Sequence, residues 1–261
     1  MKNICTVSDS NYLTKGLALY ESLKHNTENI VLHYLCIDES AYNKLKQFES
    51  NSLKVYSVND YINNDSALLD LKKRDYKYFC WALASYFTNK LVKEFDSITY
   101  IDADIYFHLS FDYVLNEIAD REIGLFRHRQ FPLSANRPEG LYNVGVVYFK
   151  NTDIGRGLCS WWAESVLHKR HSEYATCGDQ KYLEYFAEVC PKDLIYIDEN
   201  IGHGAPWQWQ LYEFIGKDKI KWGEQVQNLV FTHFSQFVDN GDSYIPSTMH
   251  HIYTPIQLYS N

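Results

Sequence analysis

Asp102 and Asp104 stand one residue apart in "ITYIDADIYF", at the end of the apolar run "SITYI". In extended chain, residues i and i+2 face the same way, so both carboxylates can reach one point. Like charges that close raise the cost of ionising each other, and both stay ionised only beside a cation. Mg²⁺ and Mn²⁺ take oxygen ligands and often share their shell between one or two carboxylates and a substrate's phosphates. The spacing therefore predicts a divalent ion holding a nucleotide diphosphate. A solvated strand end is the other use of such a pair, and the buried-strand character of "SITYI" favours the metal.

The flanking elements alternate in type. "NICTVSDSNYLTKGLALYESLKHN" reads as a strand, a polar turn and a helix from about Tyr12, with Leu17, Leu19, Tyr20 and Leu23 near helical spacing. A second strand "NIVLHYLCID", a helix "ESAYNKLKQF" and a third strand "SLKVYSV" follow. A long helix "YFCWALASYFTNKLVKEF" delivers the chain to "SITYIDADIYF". This interval predicts parallel crossovers and a doubly wound α/β sheet, whose ligands bind at the carboxyl ends of the strands. Further on, "REIGLFRHR" and "YNVGVVYFKN" are strand-like, and "GRGLCSWWAESVLHKRH" and "DQKYLEYFAEV" are helix-like, the last capped by Asp179 or Gly178. Two short apolar strands lie in the remainder, and no repeat, linker or domain boundary is evident.

Composition narrows the function. The 261 residues are 46% hydrophobic and 22% charged, a globular balance, and 22 Tyr and 6 Trp suit sugar faces and nucleobases. A net charge of -8 supplies no basic stripe and argues against nucleic acid as partner. The six cysteines show no C-x-x-C pair and read as reduced, buried thiols. "MKNICTVSDSNYL" lacks the apolar core of a signal peptide, and no apolar run reaches spanning length. The expectation is a cytoplasmic protein, with peripheral membrane contact allowed.

The series "DADIYF", "YNVGVVYFKN", "GDQKYL", "GHGAPW" and "THF", in this order and at these separations, resembles the GT-A glycosyltransferases, near the retaining glycogenin-like and lipopolysaccharide-galactosyltransferase-like family. The resemblance runs from "CTVSDSNYL" to about "THFSQF". It implies a single GT-A, Rossmann-like domain over 1–261 with a mixed, mainly parallel sheet, its nucleotide-binding half about 1–109 and its acceptor-binding half about 110–261. It implies a nucleoside diphosphate sugar donor, a UDP-sugar, and a glycan or glycolipid acceptor, with retention at the transferred carbon.

Carried over residue by residue, the resemblance makes Asp102, Asp104 and His233 the metal ligands. An imidazole in that set suits Mn²⁺ better than Mg²⁺. The nucleotide would meet Val7, Asp9, Asn11, Tyr12 and Ala103, with Tyr12 stacking on the base while Asp9 and Asn11 offer an acceptor and an amide. Asp9 as a helix cap and Tyr12 as a core residue is the structural alternative. Asp179 and Gln180 would lie beside the reacting carbon as the catalytic pair, although Asp179 also fits a plain N-cap. Asn143, Val144, Gly202 and Trp207, with Arg127 and His128, would face the sugar or acceptor. Trp209 is the other candidate for a sugar platform.

Three positions depart from the family's pattern. Lys181 stands where a second Asp is frequent, which weakens the transfer of stereochemistry. Ser85 occupies the place of a basic residue in the helix before D-x-D, with Lys77 and Lys90 offset, and "HFSQFVDNGDSY" after the metal histidine is acidic. The group assisting the leaving diphosphate is thus unassigned, with Arg127, His128 and Arg129 as candidates. His168 and His171 have zinc-compatible spacing but no evident third ligand. A D-x-D phosphohydrolase wants the pair after the first strand and a hydroxyl residue soon after, and a nucleotidyltransferase wants a Gly-rich basic loop near the N-terminus; neither pattern is present. A non-catalytic nucleotide-sugar binder stays open.

Overall fold

The computed structural model describes residues 1–62, 65–130 and 138–235, with the backbone of Phe237–Asp239 and Tyr244–Pro246. Part of the acidic segment after His233, residues 236 and 240–243, lies outside the described residues.

The alternation read from the sequence is realised in β1 (Lys2–Ser8), α1 (Leu13–Asn26), β2 (Ile30–Cys36), α2 (Glu39–Leu45), β3 (Leu53–Ser57), α3 (Val58–Ile62), α4 (Ser66–Arg74), α5 (Tyr76–Leu91) and β4 (Ser97–Ile101). Every residue of β2 is buried, the pattern of a strand covered on both faces. Aspartates start the helices: Asp38 accepts from the Ala41 N–H, Asp65 from those of Ala67 and Leu68, and Asp75 from that of Tyr78. The basic run Lys72, Lys73 and Arg74 closes α4, where cations complement the helix dipole.

Downstream come β5 (Ile105–Phe107), α6 (Asp112–Ile118), β6 (Ile123–Arg127), β7 (Tyr142–Lys150), α7 (Asp153–Leu167), α8 (Leu183–Val189), β8 (Ile195–Ile197), β9 (Gly202–Gly204), β10 (Glu213–Ile215), β11 (Lys219–Trp222) and β12 (Gln225–His233). The last expected helix is shorter than "DQKYLEYFAEV", because α8 begins only at Leu183. Asp179 therefore caps nothing and sits in the turn before it.

The main sheet has seven strands in the order β3-β2-β1-β4-β7-β6-β8. Its neighbours are parallel except around β7, which runs against both β4 and β6. The fold is thus α/β with a mixed, mainly parallel sheet. One apolar layer packs α5, α7 and α8 on one face, with Phe79, Phe87, Phe149 and Trp162 fully buried. A second lies on the opposite face under α1, α2 and α6, around Tyr34, Phe107 and Phe111.

A smaller sheet runs β10-β11-β12-β5, with β9 alongside β12. It has its own small core of Trp209, Tyr212, Ile220 and Leu229. The irregular tail expected from the sequence is this sheet; β10 and β11 are additional strands. All six cysteines are free thiols, four buried and two partly so. Among the described residues no helix is long and apolar enough to cross a membrane.

Candidate active site

The site forms where the two sheets meet. Asp102 follows β4 and donates its backbone N–H to the Gly145 carbonyl at 2.9 Å. Because β7 is antiparallel to β4, with Ile101 opposite Val146, the start of β7 lies beside the end of β4. Asn143, Val144 and Gly145 are thereby brought to the aspartates. Past Asp104 the chain enters β5, which pairs with β12 so that His233 faces Ile105.

Asp102, Asp104 and His233 consequently converge, with one ligand atom from each lying within 4.8 Å of the others. His233 Nε2 is 3.0 Å from Asp104 Oδ1 and 3.5 Å from Asp102 Oδ2. Its Nδ1 faces Asn143 Oδ1 at 3.2 Å. A β-carbon on Gly145 would stand 2.6 Å from Asn143 Oδ1 and 2.8 Å from His233 Nδ1, so this position must be glycine for the imidazole to reach the aspartates. Tyr100 Oη donates to Asp102 Oδ1 at 2.7 Å.

The charges respond to this crowding. Burial pushes the Asp102 carboxyl up, the neighbouring Asp104 pushes it further, and His233 only partly offsets them. Burial also opposes ionisation of Asp104, but the charge and hydrogen bond of His233, helped by Lys15, outweigh it and hold that carboxyl low. Burial would neutralise His233, yet the two aspartates outweigh it and raise the imidazole above its usual value.

Behind it, Gln180 Oε1 accepts from Asn143 Nδ2 at 3.0 Å and from the Val144 N–H at 3.3 Å, while its Nε2 donates to the Glu139 carbonyl. Asp179 is 4% exposed, and its carboxyl bonds to no other side chain among the described residues. Burial, then the Asp102 charge, pushes it well above the carboxylate range.

The predicted nucleotide turn follows β1. Asp9 Oδ1 accepts from the N–H groups of Asn11 and Tyr12, and Oδ2 from the Asn11 amide. Asp9 therefore ties the turn before α1; the residue that opens the helix, Tyr12, makes no side-chain cap. Tyr12 is no core residue: it is 41% exposed, which leaves room for stacking on its ring. Asp104 and Asp102 both raise its hydroxyl pKa after burial does, which locates the ring near the aspartates. Val7 and Ala103 are buried beside them in sequence.

The remaining candidates divide. Trp207 is buried, donates its indole N–H to the His128 carbonyl and turns an edge to His233 at a ring separation of 5.4 Å. Trp209 packs into the small core. Gly202 lies in β9, where a β-carbon would stand 2.1 Å from the Asn228 carbonyl oxygen, so its smallness serves strand packing. In the Arg127, His128, Arg129 cluster, each side chain already has a protein partner or ring neighbour. Arg127 pairs with Glu199 at 3.7 Å, and Arg129 is buried against Asp198 at 2.6 Å. His128 is buried with its ring 5.0 Å from Trp207.

Sequence reading missed Tyr100, Gly145 and Lys15. Tyr100 was findable, since it shares the strand face of Asp102 two residues on. Gly145 was not, because its constraint comes from β12, far away in sequence. Lys15, one helical turn after Tyr12, carries a signal only once α1 is placed beside the aspartates.

No protein-family model matches the chain. Over 250 residues it is 29% identical to the uncharacterized protein YfnF of Bacillus subtilis (strain 168), spanning 89% of this chain and 80% of YfnF. Mouse xyloside xylosyltransferase 1, in its apo form, superimposes with a TM-score of 0.59 at 14% identity, covering 90% of this chain and 97% of that one. The galactosyltransferase LgtC, in complex with donor and acceptor sugar analogues, superimposes with a TM-score of 0.59 at 12% identity, covering 89% and 87%. The chain thus has the GT-A glycosyltransferase fold that its motifs suggested.

Proposed function

We propose that this chain is a metal-dependent glycosyltransferase that moves a sugar from a nucleoside diphosphate sugar, a UDP-sugar, to a hydroxyl of a glycan or glycolipid with retention. The observation that carries the reading is the meeting of Asp102, Asp104 and His233 at the junction of two sheets, in a fold shared with sugar transferases. The donor set, two carboxylates and one imidazole whose ligand atoms converge, fits Mn²⁺. When bound, such an ion supplies Lewis-acid neutralisation of the charge that grows on the departing diphosphate.

The chain's own residues do the rest. Tyr12 stacks on the base, with Asp9, Asn11, Val7 and Ala103 around the nucleoside, in the half of the chain up to about residue 109. Asn143 is held by Gln180 and in turn orients His233 through Nδ1. The Gln180 amide oxygen already accepts two hydrogen bonds, which suits a positioning group beside the sugar better than a free nucleophile. Asp179 presents to the donor's hydroxyls a carboxyl that burial biases towards its protonated form. Val144, Gly202 and Trp207, with Arg127 and His128, border the acceptor side.

A thermal-shift screen of nucleotide sugars with and without Mn²⁺ tests the reading, because a ligand that binds only the folded state raises its stability. The expected result is a shift that needs donor and metal together. Asp104→Asn should abolish transfer while leaving the fold intact, and undiminished turnover by that variant would refute the metal role.

A further inference from the structure

The diphosphate of such a donor carries two negative charges and the nucleoside diphosphate that leaves carries about three, more than one divalent ion cancels, and the cations near the site can be sorted by what already occupies them. Arg127 pairs with Glu199, and Arg129 is consumed by Asp198. Lys77 lies over the Trp81 ring at 4.9 Å. Ser85 is fully buried and donates to the Ala82 carbonyl, so α5 offers no charge at that level.

Lys15 is different. It is half-buried in the first turn of α1, with its Nζ 4.3 Å from the centroid of the Tyr12 ring. Tyr12 and Lys15 are three residues apart on a helix, so one side chain lies over the other. No carboxylate lies within ion-pair distance of Lys15 among the described residues, although its charge is felt by both Asp104 and His233. Asp104 spends its closest contact on His233 at 3.0 Å. The ammonium therefore stands over the exposed ring in no ion pair, with Asp104 and His233 within reach of its charge. A nucleotide with its base on Tyr12 and its phosphates at the triad has to bring those phosphates past Lys15.

We infer that Lys15 is a diphosphate-binding residue, a fixed positive charge that α1 supplies to the donor's phosphates and to the nucleoside diphosphate as it leaves. This rests on the transferase reading above. A lysine here acts as a point charge on a flexible stem, able to follow the phosphates as the sugar departs. Its contact with Tyr12 gives it a second role to be separated from the first, namely bracing the ring that meets the base.

The test is calorimetric titration of the full chain, in Mn²⁺, with UDP, GDP, ADP and CDP and with the parent nucleosides at millimolar concentration. Lys15→Met keeps the aliphatic stem over Tyr12 and removes the charge. The diphosphate that the wild type prefers should bind this variant about 10- to 100-fold more weakly, the range of a charge-assisted contact, while the nucleoside binds as before. Lys15→Arg should recover most of the loss. A change of no more than about twofold for the diphosphate, or an equal loss for diphosphate and nucleoside, would overturn the assignment. Failure of the wild type to bind any of the four diphosphates would overturn the transferase reading itself, and this inference with it.

Discussion

The two sheets hold their polar groups in opposite ways. In the main sheet, the buried residues of β1 and β4 carry no charge, and the aspartates Asp9, Asp102 and Asp104 follow at the carboxyl ends. In the region around the smaller sheet, charge is inside. Arg129 and Asp198 have side chains 1% and 0% exposed, and His203 Nε2 joins Asp198 at 3.0 Å. Tyr212, Gln208 and the Trp222 ring complete the enclosure of Arg129 and its partners. Regular alternation positions side chains through the backbone ladder alone. Short, irregular strands and the β9–β10 loop lack such a ladder, and a buried hydrogen-bonded ion pair fixes them instead.

The sharpest way to break this contrast is to remove one charge from each region. Asp198→Ala strands the Arg129 guanidinium in the interior, and taking one partner from a buried pair costs about 3–5 kcal/mol. Urea unfolding should show a midpoint far below that of the wild type. Asp104→Asn, by contrast, relieves the repulsion with Asp102 as it loses the His233 contact, and should move the midpoint by less than about 1 kcal/mol. Equal destabilisation by the two variants would show that the site, too, is held together by its charges.

The intermediate case lies at the seam. Gly145→Ala places a methyl group against Asn143 and His233, at distances that force one of them to give way. Overpacking of this kind costs about 1–3 kcal/mol in stability. Its larger consequence should be local, since His233 cannot then stay 3.0 Å from Asp104. Mn²⁺ affinity measured by calorimetry should fall more than the unfolding midpoint does; a variant that loses stability but keeps its metal affinity would mean that the imidazole has room to spare.

The same contrast governs what could be read without coordinates. The positions of Asp102, Asp104, Asp9 and Tyr12 were legible because each follows a strand whose burial pattern is written in a few consecutive residues. His233 was legible as the polar end of "NLVFTHF", although its partner strand β5 has only three residues and gives no pattern of its own. Asp179 was misplaced as a helix cap because "GDQKYLEY" has the residue types of an N-terminus, while the chain makes turns there until Leu183. The Arg129–Asp198 pair was invisible: its members are 69 residues apart, and an arginine after a strand reads as surface. "LFRHRQF" gave no sign that its second arginine is buried against Asp198. Ionic contacts across long separations leave no periodic trace, whereas strand ends do.

The smallest expected effect concerns protons. In the metal-free protein, His233 has a raised pKa owing to Asp104 and Asp102 overcoming burial. A base whose folded pKa lies above its unfolded value of about 6.5 contributes stability that is complete below that pH and is lost as pH rises through the folded value. The Asp104 carboxyl, held low, contributes in a separate window: its share is present above about pH 4 and lost only as pH falls through its folded pKa. A metal needs the His233 ring nitrogen free of its proton, so binding displaces that proton. Mn²⁺ affinity should therefore rise by up to about tenfold per pH unit until the His233 pKa is passed, then level off. Over the same range the unfolding midpoint of the chelator-treated protein should decline, giving two opposite slopes from one imidazole. Calorimetry in buffers of different ionisation enthalpy would register about one proton released per ion on the rising limb. An affinity flat from pH 6 to 9, or a metal-free protein that gains stability across the same range, would show that His233 is neutral before the metal arrives.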